Sequence, residues 1–250
     1  MNSNLFNFSV ACLENQRIAK ILFAENGPLT PADRRAFKDD IAEITCSYIL
    51  DENHDIMLNT YVDDEHDYSC LIQIDVVLRK NGKVARIAEL FHRAMPYPLI
   101  VILHDGDKLW FSMAEKRFSR DGKEQVVLEQ QSDTGWIGNR FLQEFSAAAD
   151  FSKFKKNTYL DLYRHYVALL DVLKTAEITG SFQQSSISPD ERRRLLTELH
   201  QLQNQLAELK AKAKKEAELS RLVEINMQAK NITQQIADIK ALLQCEEELS

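Results

Sequence analysis

The hydrophobic pattern changes character near residue 188: upstream, short apolar stretches alternate with turn residues, and downstream, leucine and isoleucine recur in heptads. In the upstream part, RIAKILFA (17–24) predicts a short helix stopped by Asn26-Gly27-Pro28. Thr30-Pro31 predicts the next helix start, since threonine caps and proline suits the first helical position. Asp33 falls in its first turn, at the positive end of the dipole, and Phe37, Ile41 and Ile44 mark its apolar face. From Thr45 the composition turns β-like. ITCSYIL, IMLNTYV and YSCLIQIDVVLR (68–79) predict three strands, the last aliphatic enough to be central. Asn81-Gly82 turns the chain into an amphipathic helix over 84–95, which Pro96 and Pro98 end. LIVILHD (99–105) reads as a buried strand. Turns at Asp105-Gly106-Asp107 and Asp121-Gly122 then lead into KLWFSMAEKRF and EQVVLEQ. Helices over 138–149 and 157–177 follow, and the serine-rich GSFQQSSIS (180–188) reads as a linker. The fold class expected for 1–179 is α+β, a mixed sheet with flanking helices, because a strand–helix–strand crossover joins parallel neighbours.

Residues 189–250 predict a C-terminal coiled coil. Ser188 caps, Pro189 takes the first helical position and Glu191 is placed to close a capping box. After Pro189, residues 190–243 contain neither glycine nor proline. Leu195, Leu199, Leu202, Leu206, Leu209 and Ala213 recur at spacings of 4, 3, 4, 3, 4. A second seam runs through Leu222, Ile225, Ala229, Ile232, Ile236, Ile239 and Leu243 at 3, 4, 3, 4, 3, 4. The two seams are out of register by two residues. One long helix with a changed face is favoured over a hairpin turning in AKAKKEAE, since that stretch lacks glycine and asparagine. Such leucine-lined surface does not stay alone in water, so a homo-oligomer built through these residues is expected.

Composition narrows the function classes. With 250 residues, 44% of them hydrophobic, the chain builds a core without disulfides or metal. The formal charge of −7 argues against coating nucleic acid by bulk charge. Four scattered cysteines and six scattered histidines show no zinc-type spacing, so no metal and no cofactor is expected, and the thiols read as free and mostly buried. The N-terminus lacks a basic segment before an apolar stretch, and no apolar run approaches the ~20 residues a bilayer requires. The expected location is the cytoplasm, with no membrane partner. Glycine-rich phosphate cradles and the G-x-S-x-G elbow are absent.

Three sets of residues carry candidate chemistry. The succession helix–strand–strand–strand–helix–strand is shared with restriction-endonuclease-like cores, which hold magnesium on an acid near the second strand and an acid–x–lysine triplet on the third. Asp63 or Asp64 and Asp75 are the matching acids. No lysine alternates with Asp75, which is followed by Val76-Val77, so a nuclease of this kind is an alternative with a degenerate set. Basic residues cluster at Lys116, Arg117 and Arg120, and at Lys153, Lys155 and Lys156 beside Phe151 and Phe154. They support a second alternative, a DNA-binding module touching phosphate. His92 and His104 read as structural.

Several segments together resemble one bacterial family, domain of unknown function 4391. They are LTPADRRAFKDDIAEI, ARIAELFHRAMPYPLIVIL, the strand ending in AEKRF, Thr134-Gly135-Trp136-Ile137 and KKEAELSRLVEIN. Met95 stands where the family pattern has isoleucine. The resemblance implies a setting among helicase and DNA methyltransferase genes in restriction or phage-defence clusters, and no catalytic residues. The expected function is therefore a non-catalytic accessory subunit, associated with a helicase or methyltransferase and with DNA indirectly. Tyr97, between two prolines at a strand mouth, is a candidate contact for the partner.

Overall fold

The structure, a computed structural model, describes residues 4–25, 29–54, 58–80, 82–119, 122–155, 157–183 and 187–244. The turns expected at Asn26–Pro28, Asn81 and Asp121, and parts of the IMLNTYV strand and the serine-rich stretch, fall outside the described residues. The chain divides into two compact units, Met1–Lys174 and Thr175–Ser250.

The first unit is built on a six-stranded mixed sheet in the order β1-β2-β5-β6-β7-β8. Its strands are β1 (Leu13–Arg17), β2 (Ile41–Leu50), β5 (Leu71–Leu78), β6 (Leu99–Asp105), β7 (Lys108–Ser119) and β8 (Gly122–Asp133). Only β5 and β6 run parallel, and α3 (Val84–Ala94) makes the crossover that a parallel pair requires. β5 is buried on both faces for nearly its whole length, as its aliphatic sequence predicts for a central strand. Ile72, Ile74, Val76 and Leu78 point into one core with Phe37 of α2 (Pro31–Asp39) and Ile87, Leu90 and Phe91 of α3. The opposite face is aromatic. Phe6 stacks on Phe8 and packs edge-on to Phe111 and Phe145, and Phe8 reaches Tyr48 and Tyr166. These rings come from the N-terminal segment, β2, β7, α4 (Leu142–Ala148) and α5 (Tyr159–Thr179).

Two expectations are corrected. The sequence predicts a helix over 17–24, but Leu13–Arg17 is an edge strand and α1 spans Lys20–Glu25. All five residues of β1 are exposed, so the strand is made by backbone pairing to β2 and leaves no hydrophobic alternation to read. The described part of the expected middle strand IMLNTYV, residues 58–62, is not in the main sheet. Its tail is β3 (Tyr61–Val62), which pairs only with β4 (Asp67–Tyr68) in a separate ribbon. Among the described residues between α2 and α3 the main sheet therefore has two strands, β2 and β5, rather than three.

The helix start at Thr30 forms as the sequence predicts. Thr30 Oγ1 accepts from the Asp33 amide at 3.2 Å, and the Asp33 carboxylate accepts from the Thr30 amide at 3.1 Å. The same carboxylate takes a two-point fork from Arg86 of α3 at 2.9 and 3.1 Å, tying α2 to α3. The Arg86 guanidinium holds Asp33 well below the usual carboxylate range, ahead of the opposing effect of burial. Among the described cysteines Cys12 and Cys46 are buried and Cys70 half-buried, and all are free. Burial pushes the Cys46 thiol up to about 11 and Cys70 to about 12, which makes both poor nucleophiles.

The second unit holds a helical hairpin, which corrects the expectation of one long helix. α6 (Pro189–Ala213) and α7 (Leu219–Gln244) are separated by residues 214–218. Leu195, Leu196 and Leu199 from the start of α6 share a core with Ile239 and Leu243 from the end of α7, so the helices are antiparallel. This direction resolves the register conflict. Read backwards, the α7 seam has spacings 4, 3, 4, 3, 4, 3 from Leu243, which match the α6 seam read forwards from Leu195. The turn works without glycine because Glu216 supplies a cap, its Oε1 accepting from the amides of Ala217 and Glu218 at 3.0 and 2.9 Å. Ser188 caps α6 as expected, but the Glu191 carboxylate pairs with Arg194.

Two outcomes are expected. Asp33 has a lower pKa folded than the ~3.9 of an unfolded aspartate, so its contribution is present above that value and is lost as pH falls through the folded one. Asp33→Asn should lower unfolding free energy at pH 7 by about 2 kcal/mol, kept modest by the exposure of Arg86, and should flatten the acid side of the stability–pH curve. Denaturant titrations from neutral to acid pH measure both effects. In the hairpin, Leu199→Ala should cost about 2–4 kcal/mol and Leu206→Ala, half-buried, clearly less. Hydrogen exchange over α6 and α7 in the full chain reads this difference.

Candidate functional site

On the aromatic face of the sheet three strands bring four polar side chains together. A bulge in β2 between Cys46 and Tyr48 carries Ser47, β5 carries Gln73 and Asp75 two residues apart, and His104 is the penultimate residue of β6. Gln73 is 1% and Asp75 7% exposed, and Ser47 is fully buried. Asp75 is the hub. Its Oδ2 accepts from Ser47 Oγ at 2.5 Å and from Gln73 Nε2 at 2.8 Å, and its Oδ1 meets His104 Nε2 at 2.6 Å. Three donors around one carboxylate offset the cost of removing it from water. A carboxylate can only accept, so His104 carries its proton on Nε2 and presents Nδ1 outward from the pair. Gln73 Oε1 is buried without a hydrogen-bond partner.

This arrangement limits the chemistry. In a nucleophilic triad a hydroxyl donates to an imidazole, which donates to a carboxylate. Here Ser47 and His104 both donate to Asp75, so neither activates the other. Asp75 fixes the tautomer of His104, which suits proton transfer at Nδ1, but no nucleophile is held against that nitrogen in the described network.

The other nuclease candidates lie elsewhere. Asp63 turns the β3–β4 ribbon, its Oδ1 accepting from the amides of Glu65 and His66 at 2.8 and 2.7 Å and its Oδ2 from Tyr61 Oη at 3.0 Å. These donors, the Glu65 amide foremost, pull its carboxyl down to about 2. Asp64 is exposed in the same turn. The ribbon is tied to β7 by the Phe118 amide on Glu65 O at 2.7 Å, and β7 lies two strands from β5. Asp63 and Asp75 share no partner. Among the described residues no group of three His, Cys, Asp or Glu side chains is arranged to hold a metal ion. Val77, two residues after Asp75, stands exposed where a catalytic lysine would be.

The basic clusters also resolve. Lys116 is not surface charge: it is buried, and its Nζ donates to Met95 O at 2.9 Å and Tyr97 O at 2.7 Å. It pins the Met95-Pro96-Tyr97-Pro98 corner from beneath. Burial pushes its ammonium well below the usual lysine range. Arg117 pairs with Glu129 at 3.3 Å. Lys153 donates to Ala147 O at 2.9 Å and lies near Asp150, and Lys155 is exposed. Arg120 and Lys156 lie outside the described residues. His92 is structural, as read from the sequence: it is fully buried, its Nε2 is 3.0 Å from Ser112 Oγ, and burial holds its pKa well down. His104 was read from the sequence as structural, and its contact with Asp75 is what that reading did not foresee. The available signal was the pair Gln73-x-Asp75, two polar residues on one face of an aliphatic strand.

The candidate interaction residues of the hairpin face each other along its seam. Leu195, Leu199, Ile239 and Leu243 are buried, and Leu202, Leu206, Leu209, Leu222, Ile225, Ile232 and Ile236 are half-buried. Tyr97 is exposed at the proline corner. Among the described residues no helix is long and apolar enough to cross a membrane.

No curated protein and no solved structure matches the chain. A family profile does match, over residues 6–236, which takes in both the six-stranded sheet with its Asp75 hub and most of the hairpin. The chain accordingly belongs to the family described as domain of unknown function (DUF4391).

Proposed function

We propose that the protein is a non-catalytic accessory subunit of a bacterial restriction-type or anti-phage DNA-processing system, working in the cytoplasm beside a helicase or DNA methyltransferase and meeting DNA through that partner. The observation that carries this reading is the state of Asp75. It lies on β5, the first strand of the β5–α3–β6 crossover, where a restriction-endonuclease-like core places its metal-binding acid. Its oxygens are bound to Ser47, Gln73 and His104, Val77 replaces the lysine, and Asp63 and Asp64 serve a separate turn. Water activation at such a site needs free carboxylate oxygens and a nearby cation, and a bound, buried carboxylate offers neither. The side-chain network around Asp75 serves to hold three strands together. The exposed Tyr97 corner, fixed by Lys116 from inside, presents a rigid feature suited to a docking partner. The buried Lys116 and neutralised Arg117 leave less support for direct DNA binding.

Purification of the tagged full chain from its own host, with mass spectrometry of what co-elutes, tests the role. A helicase or DNA methyltransferase in near-stoichiometric amount is expected, and recovery of the chain alone overturns the reading. The placement of Asp75 on the crossover strand favours one rival, a metal-dependent nuclease. Incubation with duplex DNA and magnesium or manganese should give no cleavage. Cleavage that Asp75→Asn abolishes would replace the accessory role with the enzymatic one.

A further inference from the structure

Three connections of the first unit meet where β2 begins and β5 ends, at the paired residues Ile41 and Leu78. Each brings cations. Arg17 ends β1 and Lys20 opens α1, and Lys20 Nζ donates to Ile41 O. Arg34, Arg35 and Lys38 stand exposed on α2, which runs into β2. Arg79, Lys80 and Lys83 follow β5 and are exposed. The Arg79 amide donates to Asp40 O at 2.7 Å and its guanidinium to Lys38 O at 3.3 Å, which holds this connection against the end of α2. Elsewhere on the body exposed arginines face carboxylates, as Arg93 does Glu89 and Arg117 does Glu129. Here they do not. Among the described residues no carboxylate lies within ion-pair distance of Lys20, of the three α2 cations, or of Arg79, Lys80 and Lys83. The acids nearby are Asp39, exposed, Asp40, half-buried against Gly82, and Glu43, 3.7 Å from Arg17. Asp33 is taken by Arg86. Burial, then the charges of Arg79 and Arg17, hold the Lys20 ammonium below its ordinary value. A chain of formal charge −7 thus keeps eight cations against three acids at one end of its sheet.

We infer that this patch is a direct contact for the phosphates of a nucleic acid backbone, made without regard to base sequence. The net charge of the chain does not oppose it. At 0.1 M salt charges act over about 10 Å, so a strand lying on the patch meets its cations while the remote acids are screened. β1, β2 and β5 are neighbours ~4.8 Å apart, and α2 adds a turn of cations beside them. That width spans several phosphates of a duplex that carries one charge per ~1.7 Å of axis. Half of the cations are arginines, whose planar fork matches phosphate oxygens. An anionic membrane fits less well. The exposed apolar neighbours are Ile21, Leu22 and Val77, and α1 has six residues, which gives no long amphipathic face to lie in a lipid interface. The cations continue away from α1 among polar neighbours on α2 and in the β5–α3 connection. The patch stops at β6, whose following turn carries Asp105 and Asp107. This inference goes beyond the accessory role proposed above, since a chain that reaches DNA through a partner needs no such surface of its own.

Fluorescence anisotropy of labelled duplex DNA with the pure full chain reads the contact. Two duplexes of unrelated sequence should bind alike. Affinity should fall on the order of a hundredfold between about 50 and 200 mM salt, as neutralising about four phosphates requires. Arg34→Ala with Lys38→Ala, and Lys80→Ala with Lys83→Ala, should each lower the slope of log affinity on log salt by about two for both duplexes. Circular dichroism and thermal midpoint should not change, because all four side chains are exposed. Lys153→Ala with Lys155→Ala should leave binding as it was. Absence of binding at about 50 mM salt, binding indifferent to both patch pairs, binding lost with the Lys153 and Lys155 pair, or capture by phosphatidylserine vesicles in place of DNA each overturns the inference. Its failure is distinct from failure of the accessory role, which co-elution of a helicase or methyltransferase with the full chain reads separately.

Discussion

Asp75 sits with 7% exposure in the middle of an aliphatic sheet, and a carboxylate in that position costs several kcal/mol unless donors surround it. Much of the local structure follows from meeting that demand. The bulge in β2 shifts the register so that Ser47 turns inward. Gln73 occupies the next same-face position on β5, and His104, near the end of β6, reaches Asp75 from the other side. The network joins a parallel and an antiparallel neighbour of β5, fixing the strand pair on which α3 crosses. The same demand sets the chemistry. A carboxylate held by three protein donors ties its strands together, and its histidine partner is oriented with no nucleophile against it in the described network.

A second buried charge organises the other face. Lys116 lies in phase with Ser112 and Ala114 on β7, on the side towards α3, and reaches the carbonyls at the end of that helix. Carbonyls left over at a helix C-terminus are its natural acceptors. The two prolines keep that corner from continuing as helix, and Lys116 binds the carbonyls the corner leaves free. The result is a stiff corner with Tyr97 outward.

How much of this was legible in the sequence depends on whether the signal is local. The Thr30–Asp33 cap, the crossover helix and the central strand are written in adjacent residues, and they form as read. Lys116 was misread because its neighbours in sequence, Arg117 and Arg120, suggested a basic patch. The two-residue pleat of β7, rather than that proximity, decides which side chains face inward. β1 has no pattern of its own and exists only because β2 offers it a ladder. The Asp75–His104 contact joins residues far apart in the chain, and only the odd pairing of Gln73 with Asp75 in an aliphatic run hinted at it.

The hairpin shows the same contrast. Both heptad seams were visible, and so was their mismatch, but the absence of glycine argued for a continuous helix. A glutamate cap makes a turn as well as glycine does when the helix that follows needs donors satisfied. Once the chain reverses, the mismatch becomes a match, because spacings of four and three alternate in opposite order when one helix is read backwards. The hydrophobic argument for a partner is then met within the chain.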